Sequence, residues 1–437
     1  MVMHAANSLS SYDNLQRVVL YTCLFYLSYC YLPRFLVFLD IFPHEYTWEE
    51  LFLNYEAGFL RRGLLGAIAH GLFPAVTPLV FYGTVIGVGY FLTLHLSADF
   101  FGKFDPLVII LAFASPALLA FPAYAFQALG RKDLLITLFT LILAKLAGRE
   151  ARRAASPNRI RQLYAFFTIG AGLCILIHEL EAFLVPIQLF IMSVLLWPTG
   201  RTRDIIACSC AAAVFLLLLD IVLFAFPVSP GAGDIICQSW AEAIPALSCQ
   251  AAFMRNNPFR WLSIAPKDGL GLALSIMTAP ATAASYALGL LLALAPAIVA
   301  TRLYGQRHFT TVAKGSLFLR LCHDAGVLVP FGLFFAGMDY GRWINLIATH
   351  ALVAACAVIA AAHTPQELER RNGAIHARRL EFLSQRPVQS AASAFLLVVY
   401  LSSWRMEHYV PAGAFALRGD LLQAVASCVA TIRKLLP

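Results

Sequence analysis

The stretch from Asn54 to Gly66, NYEAGFLRRGLLG, sets a carboxylate, Glu56, a few residues ahead of two adjacent arginines, Arg61 and Arg62. A carboxylate fixed by a neighbour and partly withdrawn from water can act as a general base, and guanidiniums can clamp a phosphate through paired hydrogen bonds. Other acids stand just upstream: Glu45, Glu49 and Glu50 in PHEYTWEE. Three further motifs mix charge in the same way. GRKD supplies Arg131, Lys132 and Asp133 at the start of an apolar run, where a helix N-terminus would add its dipole to two cations facing an oxyanion. HELE carries His178 and Glu179, whose side chains would point about 100° apart on a helix and so cannot form a compact metal site unaided. DYGR places Asp339 and Arg342 in a turn that Gly337 and Gly341 permit.

Each motif also has a plainer structural reading. Arg61 and Arg62 could snorkel to headgroups and pair with Glu56, while Asp133 could do no more than cap its helix. His178 could be a hydrogen-bonded helix end, and Asp339 could simply pair with Arg342. No ligand spacing is diagnostic of a metal.

The elements that hold these motifs must be membrane helices. Only 13% of the 437 residues are charged, against about a quarter in soluble domains, and the mean hydropathy is +0.74. Apolar runs of the order of 20 residues imply an all-α, polytopic helical protein and not a barrel. About 11 spans are predicted, over residues 18–39, 75–97, 105–121, 133–147, 163–180, 182–197, 205–227, 269–300, 317–337, 344–363 and 391–404. The first run is too long for a signal-peptide core and should remain as a span. The eighth is too long for one straight crossing, and Pro280 and Pro296 allow it to kink or break. The whole chain, 1–437, reads as one integral membrane domain. It has a long first external loop, 41–74, carrying surface helices, a second long external loop, 227–268, and an interfacial helix over 411–437. No internal repeat is evident.

Orientation follows from the short loops. Arg149, Arg152, Arg153, Arg159 and Arg161 share one; Arg201 and Arg203 another; Arg302, Arg307 and Lys314 a third; Arg370, Arg371, Arg378, Arg379 and Arg386 a fourth. With alternating spans all four fall on one side, which the positive-inside rule assigns to the cytoplasm, together with the N-terminus. The four mixed-charge motifs then all map to the external face. Arg61 and Arg62 therefore run against a strong topological bias, which points to a role for them there. Arg255, Arg260 and Lys267 add positive charge in the second external loop, with Trp240, Phe259 and Trp261 as platforms for sugar rings or the interface. The net charge of +8 is spread over short loops, which argues for topology and anionic headgroups and against nucleic acid. Cys237 and Cys249 lie in the polar second loop and are expected to form a disulfide, which requires an oxidising compartment.

The string NYEAGFLRRGLLG, GRKDLL, IHELEAF and MDYGRWI, on a first span followed by a long acidic external loop, resembles the GT-C superfamily of membrane glycosyltransferases. It is also similar to Wzy-like and EpsG-like bacterial polysaccharide polymerases. The resemblance implies a polyprenyl-phosphate- or diphosphate-linked saccharide donor, a saccharide acceptor and transfer at the external face of the bacterial inner membrane, beside other polysaccharide-assembly proteins. No cofactor is required. It carries a catalytic carboxylate over to Glu56, with Glu45, Glu49 and Glu50 as the other acids of that loop, and His178 as second choice for the base. Arg61, Arg62, Arg131, Lys132 and Arg342 would stabilise the leaving phosphate, with Asp133, Glu179 and Asp339 completing the substrate site. A lipid-linked sugar flippase, and an O-acyltransferase built on His178 or His323, are the competing classes.

Overall fold

The computed structural model describes residues 2–43, 46–59, 61–153, 155–225, 231–245, 247, 249, 266–305, 316–336, 339–407 and 417–418. Glu45, Gly337, Arg255, Arg260, Phe259, Trp261, Arg307, Lys314, the side chain of Lys267 and most of the expected tail helix lie outside the described residues. Within them the chain is helical. The first half runs α1 Val2–Asp40, α2 Tyr46–Leu51, α3 Leu64–Leu72, α4 Pro78–Phe101, α5 Pro106–Ala114, α6 Phe121–Tyr124, α7 Asp133–Arg152, α8 Pro157–Ile177 and α9 Val185–Leu196. The second half runs α10 Thr202–Ala225, α11 Ala232–Ser239, α12 Pro266–Met277, α13 Pro280–Tyr304, α14 Leu317–Leu328, α15 Leu333–Ala336, α16 Tyr340–Ala362, α17 Pro365–Gln385 and α18 Pro387–Ser402. A two-residue antiparallel ladder, Arg405–Met406 with Leu417–Arg418, is the exception.

Among the described residues seven helical segments are long and apolar enough to cross a membrane: Tyr12–Asp40, Pro78–Phe101, Pro157–Ile177, Thr202–Ala225, Pro280–Tyr304, Leu317–Phe335 and Tyr340–Ala362. This is a helical membrane protein. The count differs from the eleven apolar runs because several runs are interrupted. The run over 105–121 stops as α5 at Ala114, since Ser115 precedes Pro116 and turns extended, as a pre-proline residue must. The run over 182–197 yields only the 12-residue α9. The long run over 269–300 is divided before Pro280, which starts α13 from the first turn, where its missing N–H costs nothing.

The helices sort by burial. Of its apolar window, 72% is buried in α16 but only 22% in α10, so α16 is the central helix and α10 faces lipid. α16 packs against α7, α9 and α13, and α7 lies against α4 and α9. The N-termini of α7 and α16 and the C-termini of α8 and α10 meet at one end of this bundle. α7 has 20 residues, so Arg152 at its other end is about 30 Å away. The arginines of 149–161 and 201–203 sit at that far end.

The expected Cys237–Cys249 disulfide is present, with Cα atoms 5.8 Å apart. It closes a loop across a sequence separation of 12 beside Trp240, whose Nε1 donates to the Phe52 carbonyl at 2.7 Å. Reducing it is expected to remove about 2–4 kcal/mol of stability through the freed unfolded chain, read as a lowered melting point of the detergent-solubilised protein. An unchanged melting point after complete reduction would refute this.

Candidate functional site

The end of the bundle where α7 and α16 begin holds a cluster of charge almost out of contact with water. Its first member comes from α2, whose apolar residues pull the helix inward. Trp48 stacks on Phe38 at 4.2 Å and donates from Nε1 to the Phe38 carbonyl at 3.0 Å, and Phe52 packs against Tyr82 and Trp240. Glu50, between them in sequence, is carried into the interior, its side chain 2% exposed.

Glu50 forms an ion pair with Arg131, and its Oε1 lies 3.7 Å from both Arg62 Nη1 and His178 Nε2. Arg62 spends its other nitrogens on Glu179: Nε reaches Oε1 and Oε2 at 2.9 and 2.8 Å, and Nη2 reaches Oε1 at 2.8 Å. Arg61 approaches the same carboxylate at 3.9 Å and lies over the Phe224 ring at the end of α10. Arg342 is the hub. It forks onto both oxygens of Asp133 and gives Nη1 to Asp339 at 2.7 Å and Nη2 to His178 Nε2 at 2.6 Å, with its guanidinium over the Trp343 ring. Lys132 donates to the Arg62 carbonyl at 2.9 Å. Among the described residues Arg62 is the non-glycine residue with positive φ, 66°, a conformation a Cβ disfavours by about 1–2 kcal/mol. Such strain persists where surroundings over-determine it, and here two carboxylates and Lys132 hold the residue.

Among the described residues the four motifs thus meet, with one exchange. The pairing of Glu56 with Arg61 and Arg62 does not form. The chain does turn at Gly58, which has φ 100°. The Asn54 side chain, however, accepts the Glu56 N–H at 3.1 Å, and the Glu56 carboxylate points to His70 at 3.4 Å with its side chain 51% exposed. Glu50 occupies the place beside the arginines. The signal for it was the apolar company it keeps in TWEELFL, which marks a buried helix and not a surface one. Trp240 is likewise no exposed platform, since it is fully buried against Phe52 and His70. Asp339 does pair with Arg342 within its own motif, as the plainer reading had it, but Arg342 reaches three other groups besides.

The electrostatics follow from burial. Glu179 would be raised by desolvation alone, but the charge and hydrogen bonds of Arg62, with Arg61 behind, hold it at about 2. It is ionised at any physiological pH. Burial, with Arg62 and Arg342 adding to it, pushes His178 well below the usual imidazole range, so the ring is neutral. A guanidinium can only donate, so Nε2 accepts from Arg342 and its lone pair is engaged there. Four guanidiniums, Arg61, Arg62, Arg131 and Arg342, face the carboxylates of Glu50, Asp133, Glu179 and Asp339, with the Lys132 amino group beside Arg62.

One acid escaped the sequence reading. Glu181, in the 3₁₀ turn Glu179–Phe183, is fully buried, and burial raises it to about 8 against the opposing hydrogen bond from Gln188. Gln188 Nε2 donates to Glu181 Oε1 at 2.6 Å and to Thr140 Oγ1 at 3.0 Å. Thr140 contacts His350 Nε2 at 2.9 Å, and His350 Nδ1 donates to the Leu346 carbonyl at 2.7 Å. A polar ladder therefore runs from the cluster into the bundle. A small cavity of about 40 Å³, lined by Asp133, Thr137, Asn345 and Thr349, lies alongside. Among the described residues no three His, Cys, Asp or Glu side chains are grouped as a metal site would need.

No protein-family model, curated protein or solved structure matches the chain.

Proposed function

We propose that this membrane protein is a glycosyltransferase or polysaccharide polymerase. It would use a sugar carried on a polyprenyl phosphate or diphosphate at the external face of a bacterial inner membrane, with the N-terminus in the cytoplasm. The observation that carries the reading is the gathering of four guanidiniums, Arg61, Arg62, Arg131 and Arg342, with Lys132 beside them, withdrawn from water at one end of an apolar helix bundle. A phosphate leaving an anomeric carbon develops charge that such preorganised cations stabilise without reorganisation. A donor with a lipid tail also explains why the site sits in a membrane protein. The step breaks the bond from the anomeric carbon to phosphate oxygen, the electron pair leaving with the phosphate, and forms a bond to an acceptor hydroxyl oxygen. The hydroxyl proton goes to a carboxylate. Glu50 suits this better than Glu56, because its Oε1 is beside the cations yet at 3.7 Å from Arg62 and His178, too loose for hydrogen bonds.

The test is turnover by the full-length protein in lipid nanodiscs, using a polyprenyl-diphosphate-linked saccharide labelled in the sugar. Protein-dependent release of the lipid diphosphate with extension of the acceptor is expected. Failure to bind either polyprenyl phosphate or polyprenyl diphosphate overturns the reading.

A flippase is the second reading. The buried ladder from Glu181 to His350 favours it, as does a cavity of about 940 Å³ at the far end, lined by Tyr12, Lys103, Arg152 and His363. Buried polar groups leading toward such a cavity are what a transport path needs. A cysteine placed at Thr140 that reacts with reagents from each side in turn would favour this class.

A further inference from the structure

Lys132 behaves unlike the other cations of the cluster. It precedes the first residue of α7 and is 2% exposed, and among the described residues its Nζ makes one hydrogen bond, to the Arg62 carbonyl at 2.9 Å. An ammonium has three N–H donors, so two are left without a protein acceptor. No carboxylate oxygen of the described residues lies within ion-pair distance of it. Arg62 faces it from the loop before α3, Arg342 from α16 and Arg131 from its own segment, with Glu179 as the opposing negative charge from the 3₁₀ turn. His178 beside them is neutral, and Asp133 is held by the Arg342 fork. An unpaired ammonium buried among guanidiniums is the costly form of a lysine, and the amine the cheap one. Burial first, then the charge on Arg62, accordingly holds Lys132 well below the usual lysine range.

We infer that Lys132 takes up a proton when the site receives an oxyanion of the phosphate class, so that the empty site holds an amine and the filled site an ammonium bonded to the anion. This rests on the reading of the cluster as a phosphate site and deepens it. The proton comes from water or buffer and binds the Nζ lone pair. The two N–H donors that lack protein acceptors then point to phosphate oxygens, whose charge offsets Arg62, Arg131 and Arg342. Deposits of the same chemistry could come from a lipid-linked or a free phosphate, and the probes below separate them.

The sign of the pH dependence is fixed by this exchange. Where the free site holds an amine and the bound site an ammonium, affinity falls about tenfold for each unit of rising pH. Isothermal titration calorimetry on the full-length protein at one pH, in two buffers of different ionisation enthalpy, counts the protons directly. Inorganic sulfate, fully ionised near neutrality, serves as a proton-silent probe, with inorganic diphosphate as the free phosphate and polyprenyl phosphate in nanodiscs as the lipid one. Uptake close to one proton per anion is expected for the unaltered protein. In Lys132→Arg, where the cation is permanent, the uptake should disappear while binding persists. Binding of sulfate without proton uptake by the unaltered protein overturns the inference and leaves the phosphate site standing. The absence of binding by all three overturns both. Uptake of only the lipid probe assigns the site to a membrane-borne phosphate.

Discussion

Arg342→Ala is expected to lower folding stability by about 3–5 kcal/mol. The side chain is 2% exposed and satisfies Asp133 through two nitrogens, Asp339 through a third and the His178 ring besides. Its removal strands Asp133, 11% exposed, in the interior, whereas Asp339, 25% exposed, can recruit water. The loss is therefore that of one uncompensated buried carboxylate and not of a salt bridge as such. Arg342→Lys should recover only part of it, because a point charge cannot reproduce the fork onto both Asp133 oxygens. Arg342→Met combined with Asp133→Leu should recover most, since an apolar pair leaves no orphaned charge. Equilibrium unfolding in mixed micelles reads all three. A loss below about 1 kcal/mol for Arg342→Ala would mean that Asp133 reaches water after all.

Glu50→Gln is expected to slow sugar transfer by about 10²–10⁴-fold, the usual range for removing a general base, while Glu56→Gln leaves it nearly unchanged. The contrast depends on placement alone. Both are glutamates of the same segment, but one carboxylate lies against Arg131 and the other against His70 on the surface. Initial rates with the labelled lipid-linked donor, compared at equal amounts of folded protein, provide the measurement. Equal activity of the two variants would remove Glu50 from the chemistry. Loss on Glu56→Gln alone would return the role to the residue that the first-loop motif nominates.

Much of this was open to inspection before any coordinates. In a chain with so few charges, a cluster such as RKD or DYGR is conspicuous, because each charge left in an apolar protein costs free energy unless something uses it. The helical class was legible for the same reason. What the sequence could not reveal was partnership. Arg62 does not close on the acid nearest to it in sequence: it closes on Glu179, 117 positions away, because the packing of α8 and α10 under the first loop decides which carboxylate it meets. Glu56 lost its place to Glu50 through a local event, the Asn54 side chain capturing the Glu56 N–H. The number of crossings was obscured by proline. Pro116 and Pro280 interrupt apolar runs that composition alone reads as continuous.

The four-part origin of the cluster sets an order for its making. Lys132 and Asp133 enter the bundle with α7, and His178 and Glu179 follow with the turn after α8, long before synthesis reaches Arg342 at the start of α16. Through that interval Asp133 has been delivered to the membrane without the guanidinium that later neutralises it. The nascent chain must keep that end wet, or borrow a temporary partner, until α16 slides between α7 and α9. A chain cut short before α16 would carry the same unneutralised charge permanently, at a standing cost in free energy.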